Sequence, residues 1–322
     1  MKYSCLGSSG TRISRLTLGT MMFGSHTSEE DSLKIMDCAV DNGINVFDTA
    51  DVYNGGESER IVGKGLKGRR DQIILATKVF YPVTEGINNS GLSRGHIIQG
   101  VEDSLKRLET DYIDIYYMHS PDYNTSLEES LEAMDSLVKS GKIRYIGVSN
   151  YAAWQISDIL AVCDKHNFVA PVITENVYNL LTRGIEEELL PCTRTHKIAM
   201  TAYNPLAAGL LSGKYNDGNI NAGERFSQHA DYRQRYWMDS NLKAVKNLAD
   251  LAGDHGMTLI ELAMKWIDAQ EGITSIITGV SKLSHMEQNA KLLDGDSLPE
   301  EVLQECDAIW KEISGSRYSY NR

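Results

Sequence analysis

Proline is scarce in this sequence, with 6 in 322 residues, and glycine, at 27, falls far below the one in three of collagen. Fibrous repetition and Pro/Gly-rich low complexity are therefore excluded. There is no cysteine framework. Cys5, Cys38, Cys163, Cys192 and Cys306 are scattered, odd in number and without a C-x-x-C. That usage predicts reduced thiols and a cytoplasmic protein. Cys192 and His196 are spaced as two ligands on one helical face, but no second pair follows, so no metal is expected. Apolar runs of the roughly 20 residues needed to span a bilayer are missing, and the polar stretch Met1 to Gly10 lacks a signal-peptide core. Positive charge is also in deficit. Lys plus Arg total 32 against 44 Asp plus Glu, a net charge of −12, which argues against nucleic acid as a partner.

What is present is the composition of a folded chain, 42% hydrophobic and 24% charged. The length admits two domains or one large barrel. Short β-rich runs alternate with helical patterns. Candidate strands are Leu16–Gly19, Asn45–Asp48, Ile73–Lys78, Ile113–His119, Tyr145–Ser149, Val172–Glu175, Ile198–Tyr203 and Ser275–Gly279. Several are apolar nearly throughout, as in parallel strands covered on both faces. Between them, Ile97, Val101, Leu105 and Leu108, and again Leu127, Leu131, Met134 and Val138, form apolar stripes at helical spacing. Ser126 with Glu129 has capping-box spacing, as do Ser28 with Asp31 and Ser284 with Glu287. Gly43 and Gly141 stand where helices end.

Eight strand–helix units predict an α/β fold of the (β/α)8 TIM-barrel class, read as a single domain over 1–322 because no linker interrupts it. Tyr3–Leu6 and Arg12–Leu16, around the turn Gly7 to Gly10, predict a β-hairpin at the barrel bottom. A doubly wound sheet is the alternative, but Gly19 through Gly24 is not its Gly-rich fingerprint. Leu211 to Met238 reads as a long loop after the seventh barrel strand.

In a barrel, chemistry gathers at the C-terminal ends of the strands. Asp48 ends the second candidate strand, with Tyr53 shortly after; Lys78 ends the third and His119 the fourth. A lysine at the end of an apolar strand needs a partner, and Asp48 is the obvious one, with Asp51 an equally placed competitor. Lysine beside Tyr53 is expected to lower the phenol's pKa and fit it for acid catalysis near neutral pH.

These stretches resemble a known family. Asp48-Thr49-Ala50-Asp51-Val52-Tyr53, Gly56-Glu57-Ser58-Glu59, Ile74 through Val79, Asp111 through His119, Gly141 through Asn150, Ala202 through Leu206 and Gly279 through Asn289 look like the aldo-keto reductases, over about residues 1 to 313. The resemblance points to the bacterial branch that also contains the potassium-channel β subunits. It implies a barrel binding NADPH, with Asp48, Tyr53, Lys78 and His119 as the catalytic tetrad, and it decides Asp48 over Asp51. Tyr53 would donate the proton, Lys78 held by Asp48 would tune it, and His119 would orient the carbonyl.

The resemblance also implies a cofactor site. Gly19, Thr20, Met21 and Asp48 would belong to it. Ser149, Asn150 and Glu175 would meet the nicotinamide carboxamide, and Tyr203 would stack on the ring. Asn204, Pro205, Leu206, Ala208, Gly209, Ser212 and Lys214 would wrap the pyrophosphate. Gly279, Ser281, Lys282 and His285 would take the 2′-phosphate region at a helix starting near Ser284, and Gln288 and Asn289 the adenine. Two departures stand out. His285 replaces the Arg or Gln of many relatives and is largely uncharged near neutral pH, so NADP is favoured over NAD only moderately. Glu175 replaces a glutamine; a carboxylate there would stabilise oxidised nicotinamide.

The expected function is an NAD(P)-dependent oxidoreductase acting on a small carbonyl or alcohol. The alternatives are a regulatory or redox-sensing subunit with vestigial activity, and a Schiff-base aldolase using Lys78. Substrate loops would contain Met22, Phe23, Tyr81, Tyr123, Asn124, Tyr232, Tyr236 and Trp237, which could also simply pack. No membrane partner is expected, and a homo-oligomer is compatible with the sequence. The polar tail Ser314–Arg322 could cover the site.

Overall fold

The computed structural model describes residues 1–215, 219–220, 225–228, 230–293 and 295–315. The hairpin comes first, β1 (Tyr3–Cys5) antiparallel to β2 (Arg12–Ser14), with Tyr3 opposite Ser14. Eight parallel strands follow: β3 (Leu16–Gly19), β4 (Val46–Asp48), β5 (Ile74–Val79), β6 (Ile113–Met118), β7 (Ile143–Ser149), β8 (Ile173–Val177), β9 (Ala199–Tyr203) and β10 (Ser275–Gly279). They pair in sequence order, and β10 closes the barrel on β3 with Ile276 opposite Leu16. This is the (β/α)8 architecture that the alternation predicted.

Helices α1 (Glu29–Asp41), α2 (Glu57–Gly65), α3 (Arg94–Leu108), α4 (Leu127–Lys139), α5 (Ala153–His166) and α6 (Leu189–Thr195) connect β3 through β9. Beyond β9 come α7 (Arg225–Gln228), α8 (Ala230–Tyr236), α9 (Asp239–Asp254) and α10 (Leu259–Ala269). After β10 follow α11 (Leu283–Leu292) and α12 (Glu300–Ser314). No helix among the described residues is long and apolar enough to cross a membrane.

The hydroxyl of Ser126 accepts from the Glu129 amide, and that of Ser28 from the Asp31 amide. Each such cap is worth about 1 kcal/mol. The Glu129 carboxylate does not complete a box; it accepts from the Arg94 amide and caps the neighbouring helix instead. Gly43 and Gly141 have φ of +78° and +76°, as their helix-end positions required.

Two apolar clusters divide the core. The larger fills the space between strands and helices. The smaller lies inside the barrel, where Leu6 and Ile13 of the hairpin meet Val46, Ala76, Ile115, Tyr117, Ile173 and Ala199. The hairpin thus stoppers the N-terminal end. At Gly7 (φ +56°) a Cβ would come within 2.4 Å of the Val172 carbonyl oxygen, so only glycine fits its tip.

Two sequence expectations need correction. The stretch from Leu211 to Met238 is not plain loop: α7 and α8 lie in it, too short for periodicity to reveal. Helix α11 begins at Leu283 with Lys282 as N-cap, not at Ser284, because Lys282 is the last residue in extended conformation (ψ 144°). The tail residues 316–322 lie outside the described residues.

Candidate active site

The mouth is built where β4, β5 and β6 end. Asp48 closes β4, Lys78 is the penultimate residue of β5, and His119 follows β6 directly. Tyr53 opens a tight turn before α2. That turn is held by Asn54 (φ +52°), whose side-chain amide donates to the carbonyls of Met21 and Phe23.

Lys78 is fully buried. Its Nζ donates to Asp48 Oδ1 at 2.5 Å and to the Thr49 carbonyl at 2.9 Å. A second carboxylate stands close by, with Glu175 Oε2 3.6 Å from the same Nζ. The ammonium also lies 5.4 Å from the ring centre of Tyr53 and 5.6 Å from that of Tyr117. Burial works against the lysine's charge, but Asp48 and Glu175 outweigh it and hold the ammonium above the ordinary lysine value. Burial pushes the Glu175 carboxyl up to about 8, and Asp48 adds to this while Lys78 opposes it. Burial also raises Asp48, against the pull of Lys78. One ammonium faces two carboxylates, and Asp48 holds the direct hydrogen bond.

Tyr53 departs from expectation. Lys78 does pull its phenol pKa down, but loss of hydration outweighs that pull, and Asp48 and Glu175 add to the rise. Part of the ring stays exposed, yet protein crowds the phenol closely enough to keep it protonated well past neutrality. The position of Lys78 is legible from strand order, but the burial of the phenol is not.

His119 meets Tyr53 edge-on, ring centres 6.1 Å apart, and Tyr81 at 5.1 Å. Burial and the Lys78 charge push its imidazole down to about 3, so it is neutral at working pH. Its Nδ1 is buried with no hydrogen-bond partner in the structure.

A polar chain runs from this cluster to β9. The Tyr203 hydroxyl donates to Asn150 Oδ1 at 2.8 Å, and Asn150 Nδ2 donates to the His119 carbonyl and to Ser149 Oγ, both at 3.1 Å. Asn150 holds φ of +65°. After β9, the chain turns through Asn204 (φ +58°), Ala207 (+48°), Ala208 (+57°) and Gly209 (+97°). Left-handed alanines are strained and persist where surrounding structure imposes them. Asn204 Oδ1 accepts from the Ala208 amide, and Ser212 Oγ donates to the Gly209 carbonyl. Pro205 is buried, Leu206 half-buried, and exposed Lys214 lies over the Tyr215 ring at 4.5 Å.

At the far side, Gly279 ends β10, with open space where a Cβ would point. Ser281 is half-buried, and Lys282, His285 and Gln288 are exposed on or before α11, with Asn289 half-buried. Burial and Lys282 lower the His285 pKa, so it carries no charge near neutrality.

Several sequence-assigned residues face elsewhere. Glu175, assigned to the carboxamide, also stands 3.6 Å from the Lys78 ammonium. The Thr20 hydroxyl is buried, sharing hydrogen bonds with Ser58 and the Asp48 carbonyl, while Met21 is exposed. Among the proposed substrate contacts, Phe23 is fully buried in the main core, so it is not a lining residue. Trp237 packs edge-on against Tyr215 and tilted on Phe226. Tyr236 is buried, its hydroxyl accepting from Asn204 Nδ2. Met22 and Tyr232 are half-buried, Asn124 is exposed, and Tyr81 and Tyr123 are 41% and 81% exposed.

Two arrangements went unnoticed in the sequence. The Thr49 carbonyl is a ligand of Lys78. Asp51 belongs to a separate buried cluster: Glu59 accepts from Thr77 Oγ1 and Arg107 Nε, both at 2.6 Å, and burial with Glu59 nearby pushes Asp51 up to about 8. The Glu57-Ser58-Glu59 stretch was the available signal. No group of three or more potential metal ligands occurs among the described residues.

A sequence profile described as Aldo/keto reductase family matches residues 15–311. The chain belongs to the aldo/keto reductase family. Its members are oxidoreductases that use nicotinamide cofactors. This aldo/keto reductase is 38% identical over 326 residues to an uncharacterized oxidoreductase, YrpG, of Bacillus subtilis, covering 98% of each chain. It is 38% identical over 294 residues to the aldo-keto reductase YhdN of the same organism, covering 89% of this chain and 87% of the relative. A probable voltage-gated potassium channel subunit beta of Arabidopsis thaliana is 36% identical over 301 residues, 91% and 92% of the two chains.

Proposed function

We propose that this aldo/keto reductase interconverts a small carbonyl and its alcohol with NADP, using Tyr53 as proton donor and acceptor. The observation that carries the reading is the buried Asp48–Lys78 ion pair set beneath the Tyr53 ring, with a neutral His119 edge-on beside it. The dinucleotide, when bound, supplies the two-electron redox chemistry. The residues present fit it. Tyr203 offers an aromatic face, the left-handed turn at Ala207–Gly209 brings backbone close to a ligand, and Lys214 and Lys282 give an acidic protein local positive charge.

In the reduction direction, the carbonyl oxygen sits between the Tyr53 hydroxyl and His119. Tyr53 gives its proton as negative charge develops on that oxygen. Lys78 stabilises the phenolate left behind, and Asp48 keeps the ammonium in place. His119, uncharged, donates a hydrogen bond rather than a proton. Burial keeps the acid form populated throughout the neutral range but weakens it as a donor, and the Lys78 ammonium offsets that loss by favouring the phenolate.

Neutral His285 leaves Lys282 as the charge for a 2′-phosphate, which supports NADP with only moderate discrimination. Tyr53→Phe is the direct test: carbonyl reduction falls at least 1,000-fold while NADPH still quenches protein fluorescence. Turnover at the wild-type rate overturns the assignment. The channel-subunit name of one relative keeps a second reading, a redox-sensing subunit; slow turnover across a broad aldehyde panel in both directions favours it.

A further inference from the structure

We propose that Glu175 is a further positioning residue of this reaction: a second buried carboxylate on Lys78, across from Asp48, that holds a proton in the cofactor-free protein and releases it to solvent when positively charged nicotinamide is seated beside it. The proposal rests on the function proposed above.

The geometry is specific. Glu175 is 4% exposed on β8, between Ser149 of β7 and Thr201 of β9 in register. Its Oε2 is buried, makes no hydrogen bond, and lies 3.6 Å from the Lys78 ammonium. An ionised carboxylate oxygen buried without a hydrogen bond is costly. Two of the three N–H groups of Lys78 already serve Asp48 and the Thr49 carbonyl. Lys78 therefore cannot neutralise both acids, and a proton makes up the difference. The ionisable groups facing Glu175 are Asp48 on β4, Lys78 on β5, Tyr117 on β6, Tyr203 on β9 and Tyr53 at the mouth. The three phenols are all held protonated, each chiefly by loss of hydration. Only Asp48 and Lys78 are charged, and they cancel.

That balance changes when a cation arrives. Ser149 stands opposite Glu175 on β7, and Tyr203 lies two residues beyond its β9 partner Thr201, close enough for its phenol to feel the Glu175 charge, so a nicotinamide lying on Tyr203 brings the positive ring of its oxidised form towards this carboxyl. The ring makes ionisation of Glu175 favourable, and the proton leaves. Reduced nicotinamide carries no ring charge and leaves the proton where it is. Glu175 thereby couples the protonation of the Lys78 cluster to the redox state of the ligand.

Titration calorimetry of the full chain tests this. NADP+ and NADPH are titrated at pH 7 in two buffers of different ionisation enthalpy, using the wild type and Glu175→Gln. The expected result is release of close to one extra proton when NADP+ binds the wild type, absent in Glu175→Gln and absent with NADPH. Proton exchange by the 2′-phosphate, whose pKa lies near 6, is common to both proteins and cancels. Equal proton release by the two proteins, with both binding, overturns the role of Glu175 and leaves the proposed function standing. Failure of the wild type to bind either nucleotide overturns the proposed function first. If Glu175→Gln does not fold, the wild type alone decides. Carbon-13 resonances of the Glu175 carboxyl in cofactor-free protein should titrate well above the usual carboxylate range, and a midpoint below 5.5 refutes the proposal. Glu175→Asp, which keeps the acid, should retain the proton release that Glu175→Gln loses.

Discussion

The two carboxylates on Lys78 make a stability prediction that a single ion pair does not. At an effective dielectric of about 20, unit charges attract by roughly 7 kcal/mol at the 2.5 Å of Asp48 and roughly 5 kcal/mol at the 3.6 Å of Glu175. Replacing Asp48 by Asn removes the first attraction and permits Glu175 to ionise, recovering most of the second. The net cost should be about 2 kcal/mol, below the 3–5 kcal/mol expected on breaking an isolated buried pair. Glu175→Gln replaces a protonated acid by its neutral isostere, and at pH 7 should cost under about 1 kcal/mol. The double variant strands a buried ammonium and should lose about 5 kcal/mol or more, leaving about 2 kcal/mol of non-additivity. Urea unfolding of the four proteins at pH 7, without cofactor, measures each term. Losses that sum to within about 0.5 kcal/mol refute the idea that Glu175 substitutes for Asp48.

The remaining predictions are more local. Because burial keeps Tyr53 protonated and His119 is pushed to about 3, carbonyl reduction should stay level from pH 6 to 8, while alcohol oxidation climbs steadily with pH; a reduction limb near 6.5 that vanishes in His119→Gln contradicts this. Asp51 is raised to about 8 from its ordinary 3.8, so the folded state binds more protons than the unfolded one between those values. Its contribution to stability is full below about 4 and is lost as pH rises through 8, at up to about 1.4 kcal/mol per pH unit. Thermal melts of Asp51→Asn should accordingly fall less steeply over that window than wild type, and parallel curves refute it. His285→Arg places a permanent cation near Lys282 and should lower the NADPH Kd at least tenfold with little change for NADH, as read by fluorescence titration.

The barrel was legible in the sequence because strands covered on both faces write themselves as short apolar runs. Leu16–Gly19 and Ser275–Gly279 carry the expected boundaries unchanged. Short helices were not legible: α7 and α8 hold fewer than three turns and no repeating stripe. The convergence of Asp48, Tyr53, Lys78 and His119 followed from placing polar residues at strand ends. What the sequence could not show was pairing across the barrel interior. Glu175 stood out only as an unusual residue, and its contact with Lys78 joins β8 to β5, strands that are not neighbours. The raised pKa of the Tyr53 phenol was hidden for a related reason, since charge neighbours follow from strand order but hydration depends on everything packed around them.

The closing register, Ile276 on Leu16, bears on how the chain reaches its structure. Strand β3 emerges from the ribosome early, yet the partner for one of its edges lies about 250 residues later. At roughly 5–20 residues per second that interval lasts about 10–50 seconds. Throughout it, a partial barrel presents two open parallel edges, the template on which chains add to one another. Those edges stay uncovered until β10 arrives. Truncations ending before Ser275 should accumulate as aggregates even though most of the barrel's strands are already made.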